Sequence, residues 1–253
     1  MLILLPPSEG KTPAPKRRRP VDVSALSFPD LTDARVQVGD ALAAVSARSD
    51  ALEVLGVGAS VEDDVRANID LWSAPAAPAG QIYSGVLYDA LDLATVSPQA
   101  RRRATNCVLV VSALWGAMRL TDRVPAYRLS MTVDLPGIGP LARFWRPHLE
   151  SVLDSSSERT VAVDCRSAPY RAAWPGDPTR TVHISVLSAD SRTAVSHMAK
   201  HTRGLVARHL CARSGTQPRS PERLAEAVGE VFECALTPPR TGRSPWNLQV
   251  VQP

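Results

Sequence analysis

The chain has 253 residues, of which 44% are hydrophobic but only 5% aromatic, and it carries a formal charge of +4 at pH 7. No apolar run approaches the roughly 20 residues of a membrane span. MLILLPP is too short for a secretory leader core and has no basic lead, so a cytoplasmic protein with no membrane partner is expected. Cys107, Cys165, Cys211 and Cys234 are scattered without a CxxC pair, which argues against a disulfide framework or a zinc site.

Met1–Leu5 is a short apolar strand closed by Pro6 and Pro7. Residues 12–30 are rich in Pro and Arg and lack periodicity, so an exposed loop is expected. Helical spacing begins near Asp33 and runs through Val36, Ala41, Leu42 and Val45. Further helical stretches cover residues 48–55 and 59–72. Residues 75–80 form a breaker-rich link, and 81–93 an apolar segment around Tyr83-Ser84-Gly85. A short helix at 98–103 feeds a strand at 107–113. Residues 114–139 are loop-rich; a helix at 141–153 and strands at 160–164 and 181–187 follow. Residues 191–212 give the clearest helix, with mixed apolar and basic faces. A short helix at 221–228 and strands at 231–236 and 248–251 complete the chain. This alternation without a repeat predicts a mixed α/β (α+β) fold: a single compact domain with a central sheet and the helical segment 33–72 inserted.

Lysine is nearly absent: Lys11, Lys16 and Lys200 stand against 26 arginines. Lysine is a compact charge that approaches phosphate closely or loses its proton when buried, whereas arginine stays ionised. Lys11 ends the loop Pro6–Thr12, where Ser8 and Glu9 add a donor and a carboxylate. Loops at the carboxyl ends of strands are where α/β sheets bind ligands. The loop is not a phosphate-binding GxxxxGK[ST] motif, because position 5 is Leu.

A second candidate spans residues 114–128. Arg119, Arg123 and Arg128 supply forks suited to phosphate or carboxylate, with Asp122 to orient one of them and Tyr127 beside them. A third is the helix at 198–204, where Lys200 and Arg203 are three apart and share a face. His197 and His201 are four apart but lack an acidic third ligand, so neither a metal nor a cofactor is expected. A fourth resembles a helix-hairpin-helix: Gly56-Val57-Gly58-Ala59-Ser60 lies between apolar helical stretches. Amides of such a hairpin bind DNA phosphate without reading sequence. Glu62, Asp63 and Asp64 follow at once and oppose phosphate. A second Gly-x-Gly, at 135–140, has no clear helix before it and reads as a turn.

Taken in order, these blocks resemble the YaaA family of peroxide-stress proteins. MLILLPPSEGKT is similar to the family's opening strand and turn, with Lys11 in the lysine position. The blocks at 82–91, 112–122 and 125–129, Phe144-Trp145, Ser167–Tyr170 and Ala199–Leu205 follow in the family's order. Pro169 stands where the family has glutamate, Trp115 where it has tyrosine and Thr121 where it has proline. The resemblance implies a mixed α/β fold, a positive cleft, a DNA-binding helix-hairpin-helix near 52–66 and a role in limiting iron-dependent oxidative damage. The residues expected to line an anion-binding cleft are Ser8, Lys11, Ser84, Tyr88, Arg119, Tyr127, Arg128, Lys200 and Arg203.

Two readings follow. In one, the protein binds DNA without sequence preference through the hairpin and the cleft. In the other, it is an enzyme acting on a nucleotide, nucleobase or other anionic small molecule. There Glu9 or Asp122 is the acid/base, Lys11 and Lys200 stabilise charge, and Tyr127 and Trp115 are stacking surfaces. The sequence leaves the oligomeric state open.

Overall fold

A computed structural model describes residues 1–157, 160–187, 195–240, 242 and 244–252. The strands in chain order are β1 (Leu2–Leu5), β2 (Ala77–Pro78), β3 (Val108–Ser112), β4 (Gly116–Arg119), β5 (Arg123–Val124), β6 (Asp134–Leu135), β7 (Gly139–Pro140), β8 (Ala162–Asp164), β9 (Thr181–Leu187), β10 (Cys234–Thr237) and β11 (Trp246–Val251). Seven of them form the central sheet in the order β10-β11-β9-β8-β1-β3-β4. The pairs β11·β9, β9·β8, β8·β1 and β1·β3 are parallel, and an antiparallel strand closes each edge. Every residue of β1, β3 and β8 is buried, which explains their unbroken apolar runs: a parallel strand is covered on both faces and has no polar side to alternate with.

The chain runs from β1 to β3 on one side, then crosses back over β1 to place β8 and β9 on the other. The crevice outside the carboxyl ends of β1 and β8 is therefore the topological switch point of the sheet, the favoured place for a ligand in open α/β folds.

The helical segment is part of the same core. Helix Thr32–Ser46 buries Ala34, Val38, Leu42 and Val45, spaced three and four apart, while Val36 is left exposed. Its Arg35 is fully buried and donates from Nε to the Trp115 carbonyl (3.0 Å) and from Nη2 to those of Ser27 (2.7 Å) and Ala117 (2.8 Å). Burial lowers its pKa to about 10, with Asp122 opposing. The helical stretch expected at 59–72 is broken into a 3-10 turn Ala59–Val61, helix Glu62–Ala67 and a second 3-10 turn Asn68–Asp70. The 12–30 loop is exposed only in part: Leu26 is buried.

Helix Val195–Ala212 lies against helix Val86–Leu91 so closely that a Cβ at Gly204 would stand 2.2 Å from the Leu87 carbonyl oxygen. The first residues of the helix expected at 191–212 lie outside the described residues. Among the described residues no helix is long and apolar enough to cross a membrane.

Candidate functional site

The loop after β1 is pinned to the segment before helix Val86–Leu91. Lys11 bridges Tyr83, the Thr12 amide donates to the Ile82 carbonyl (2.8 Å), and the Ser84 amide donates to Ser8 Oγ (3.1 Å). Tyr88 donates its hydroxyl to the Pro6 carbonyl at 2.7 Å. Lys11 is thereby held inside a cleft of about 160 Å³ lined by Glu9, Pro13, Ala14, Asp64, Ala67, Ala74, Pro75, Ala126 and Tyr127.

Lys11 Nζ donates to the carbonyls of Ser8 (2.8 Å) and Glu9 (3.4 Å) and lies 4.2 Å from the centre of the Tyr127 ring. Burial first, and nearby Arg128 after it, lower its pKa from 10.5 to about 7 against the opposing pull of Asp64 and Glu9. The Glu9 carboxylate stands 3.9 Å from Arg128 Nη2 and 3.9 Å from Lys200 Nζ. With its side chain 79% exposed, Glu9 is weakly held, and an incoming anion can take its place between the two cations. Arg128 is fixed from behind: its amide donates to Asn68 Oδ1 (2.8 Å), and Asn68 Nδ2 donates back to its carbonyl (3.0 Å).

All four tyrosines of the chain gather here. Ser112 Oγ accepts from the amides of Leu114 and Trp115, both at 3.1 Å. Its own hydrogen therefore goes to Tyr127 at 2.6 Å. Tyr127 then donates to Tyr83 (3.0 Å), and Tyr83 faces Met118 Sδ (3.8 Å). The Tyr83 and Tyr88 rings stack at 5.4 Å. Burial raises the pKa of each; that of Tyr170 is pushed up to about 12. The phenols thus stay neutral and act as a rigid wall.

The structure brings together Ser8, Glu9, Lys11, Ser84, Tyr88, Tyr127, Arg128 and Lys200. It separates three other candidates from them. Strand β4 runs back from the β3 hairpin, so Arg119 pairs with Leu109 near the amino end of β3. Its guanidinium donates to the Asn106 carbonyl at 2.8 Å. Asp122 spends its carboxylate on the Arg119 amide (3.0 Å) and on Ser27, whose hydroxyl donates at 2.8 Å. Arg203 donates to the Ile184 carbonyl of β9 (3.1 Å). Trp115 is fully buried, packed edge-on against Trp72 and Tyr127, and offers no stacking surface to a ligand.

Sequence reasoning missed Asp64, Asn68 and Tyr170 as site residues. The hairpin consists of helix Ala51–Val54, Gly56 at φ +63°, and helix Glu62–Ala67. Its second helix gives Asp64 and Ala67 to the cleft wall. The other Gly-x-Gly is a turn between β6 and β7, with Gly137 and Gly139 at φ +84° and +88°.

At the carboxyl end of β8 lies a buried ion pair. Asp164 accepts from Arg166 Nε and Nη2, both at 2.8 Å, and both side chains are fully buried. His183 Nε2 stands 3.6 Å from Asp164. Burial lowers the His183 pKa to about 4; Asp164 opposes this, and Arg171, Arg166 and Arg203 add to it. His183 thus stays neutral in the folded protein while an unfolded histidine takes up a proton below its pKa of about 6.5. Stability is expected to fall by about 2–3 kcal/mol as pH drops from 6.5 to 4. Urea unfolding across that range checks this, and His183→Gln should flatten the slope.

The fold and site define an α/β protein with a lysine-centred crevice at the switch point of a parallel sheet. The chain belongs to the YaaA (UPF0246) family: a family model described as peroxide stress protein YaaA matches residues 1–234. It is 45% identical to a UPF0246 protein of Streptomyces coelicolor, over 99% of this chain and 98% of the relative. It is 40% identical to one from Corynebacterium efficiens (93% and 91%) and 38% to one from Corynebacterium glutamicum (92% and 95%). The family resemblance read from the ordered motifs is borne out.

Proposed function

We propose that the protein binds the sugar-phosphate of nucleotides in the Lys11 crevice, and that in peroxide stress this crevice engages DNA without sequence preference. The supporting observation is continuity: the second helix of the Gly56–Ser60 hairpin supplies Asp64 and Ala67 to the cleft that holds Lys11. Asn68, just beyond it, fixes Arg128. Hairpin and cleft thus make one surface. A cleft of about 160 Å³ suits a single sugar-phosphate and is too small for a duplex, which would lie across the mouth. Arg128 and Lys200 take the phosphate by displacing Glu9. Glu62, Asp63 and Asp64 repel phosphate from the helix start, so the cations of the mouth carry the binding. Limiting iron-dependent damage enters this reading as a consequence of engaging DNA. A free nucleotide is the alternative occupant, supported by the same cleft size.

The test is binding of a labelled duplex across a salt series. Affinity is expected to fall steeply with salt, and the double variant Arg128→Ala/Lys200→Ala to weaken binding and reduce the slope by about 2. Salt-independent binding, or an unchanged slope in the folded double variant, would contradict the reading.

A further inference from the structure

The geometry points to Lys11 as a nucleophilic amine that forms an imine with the open-chain aldehyde of a phosphorylated pentose. This inference rests on the sugar-phosphate reading of the crevice. Among the described residues, no carboxylate forms an ion pair with Lys11 Nζ. It is held by two backbone carbonyls, Ser8 at 2.8 Å and Glu9 at 3.4 Å, and by the face of Tyr127. A neutral amine has two N–H bonds and one lone pair. The two carbonyls can take the two hydrogens, which leaves the lone pair for an electrophile. Ala14, Ala67, Ala74, Pro75 and Ala126 make that space apolar, and desolvation beside a second cation is how lysine becomes nucleophilic. Arg128 is that cation, and with its pKa near 7 a large fraction of Lys11 is unprotonated at neutral pH.

With the phosphate between Arg128 and Lys200, the sugar carbon chain reaches inward. The Nζ lone pair attacks the C1 aldehyde carbon, a C–N bond forms and the carbonyl oxygen takes a proton. The nitrogen of the resulting carbinolamine gives up a proton. Its hydroxyl gains one and leaves as water, giving a protonated imine. No electrons are exchanged with a partner. Glu9 and Asp64, both in the cleft wall, are the groups that carry those protons. The aldehyde can come from a free pentose phosphate or from an abasic sugar in DNA.

The experiment incubates the full-length protein with sodium borohydride and either 2-deoxyribose 5-phosphate or a duplex carrying one abasic site. Peptide mass spectrometry then locates the reduced adduct. A stable secondary amine is expected on Lys11 with at least one probe; the productive probe identifies the source. The adduct should vanish in Lys11→Met and persist in Lys16→Ala. Mapping on the unaltered protein needs no variant, so a poorly folded Lys11→Met leaves the test intact. Adducts on neither probe, or on Lys16 or Lys200 instead of Lys11, would overturn the inference. Deoxyribitol 5-phosphate and a tetrahydrofuran-containing duplex lack the aldehyde and separate the two claims. If they bind while Lys11 stays unmodified, only the imine fails; if they do not bind either, the sugar-phosphate reading fails with it.

Discussion

Asp164→Ala is expected to lower the unfolding free energy by about 3–5 kcal/mol, the cost of leaving a buried charge without its partner. Arg166 cannot shed its proton as a buried lysine can. Its guanidinium is fully buried, with Asp164 as its carboxylate partner and the carbonyls of Tyr170 (3.1 Å) and Trp174 (2.7 Å) as its remaining acceptors. Removing both charges, as in Asp164→Leu/Arg166→Met, should recover most of the loss, because a buried pair is often no better than an apolar one. The double variant should still bind ligand poorly. Arg166 holds the Tyr170 carbonyl, and the Tyr170 phenol lies within electrostatic reach of Glu9 and Arg128 at the cleft. Urea unfolding and duplex titration on the same samples separate the two effects. A double variant as unstable as the single one would show that the site needs the charges for reasons other than mutual compensation.

Gly204→Ala carries the second large effect, a destabilisation of about 2–4 kcal/mol. The added carbon would lie 2.2 Å from the Leu87 oxygen and 2.8 Å from Ala90 Cβ, so helices Val195–Ala212 and Val86–Leu91 must part. Lys200 sits one turn earlier on the moving helix, and its 3.9 Å approach to Glu9 should be lost with the contact. Thermal unfolding and the salt dependence of duplex binding report the two consequences. Gly58→Ala is the comparison: its Cβ meets nothing within 4 Å and its φ of −83° suits any residue, so stability should change by less than about 0.5 kcal/mol. Equal melting temperatures for the two variants would refute the close-packing argument.

Much of this was legible from the chain. The buried strands announced themselves as apolar runs, the first of them closed by Pro6 and Pro7. Lys11 stood out because lysine is so rare here, and its loop follows a strand whose carboxyl end meets the crevice. What failed were side chains placed by nearness in sequence. Arg119 and Asp122 follow β3 closely, but the hairpin to β4 reverses the chain and carries them toward the opposite end of the sheet. Arg203 is one turn from Lys200, yet it leans to β9. Asp64 was read as an obstacle to phosphate on a separate hairpin. Only the three-dimensional fold puts it in the wall around Lys11. Asn68 gave no local signal, since its role is a reciprocal bond to a residue distant in the chain.

The position of β1 has a kinetic consequence. The first strand made by the ribosome lies in the middle of the finished sheet, where Ile3 pairs with Val108 on one side and Val163 on the other. Neither partner exists until much of the chain has been synthesised. An early apolar segment therefore waits, unpaired, for neighbours from far along the sequence. Such non-local pairing slows folding and lengthens the time during which the strand is open to wrong partners. The walls of the crevice come from the loop after β1, from helix Glu62–Ala67 with Ala74 and Pro75, and from the segment after β5, while Lys200 reaches its mouth from helix Val195–Ala212. A nascent or truncated chain that ends before helix Val195–Ala212 would carry every wall residue of the cleft but lack Lys200 at its mouth.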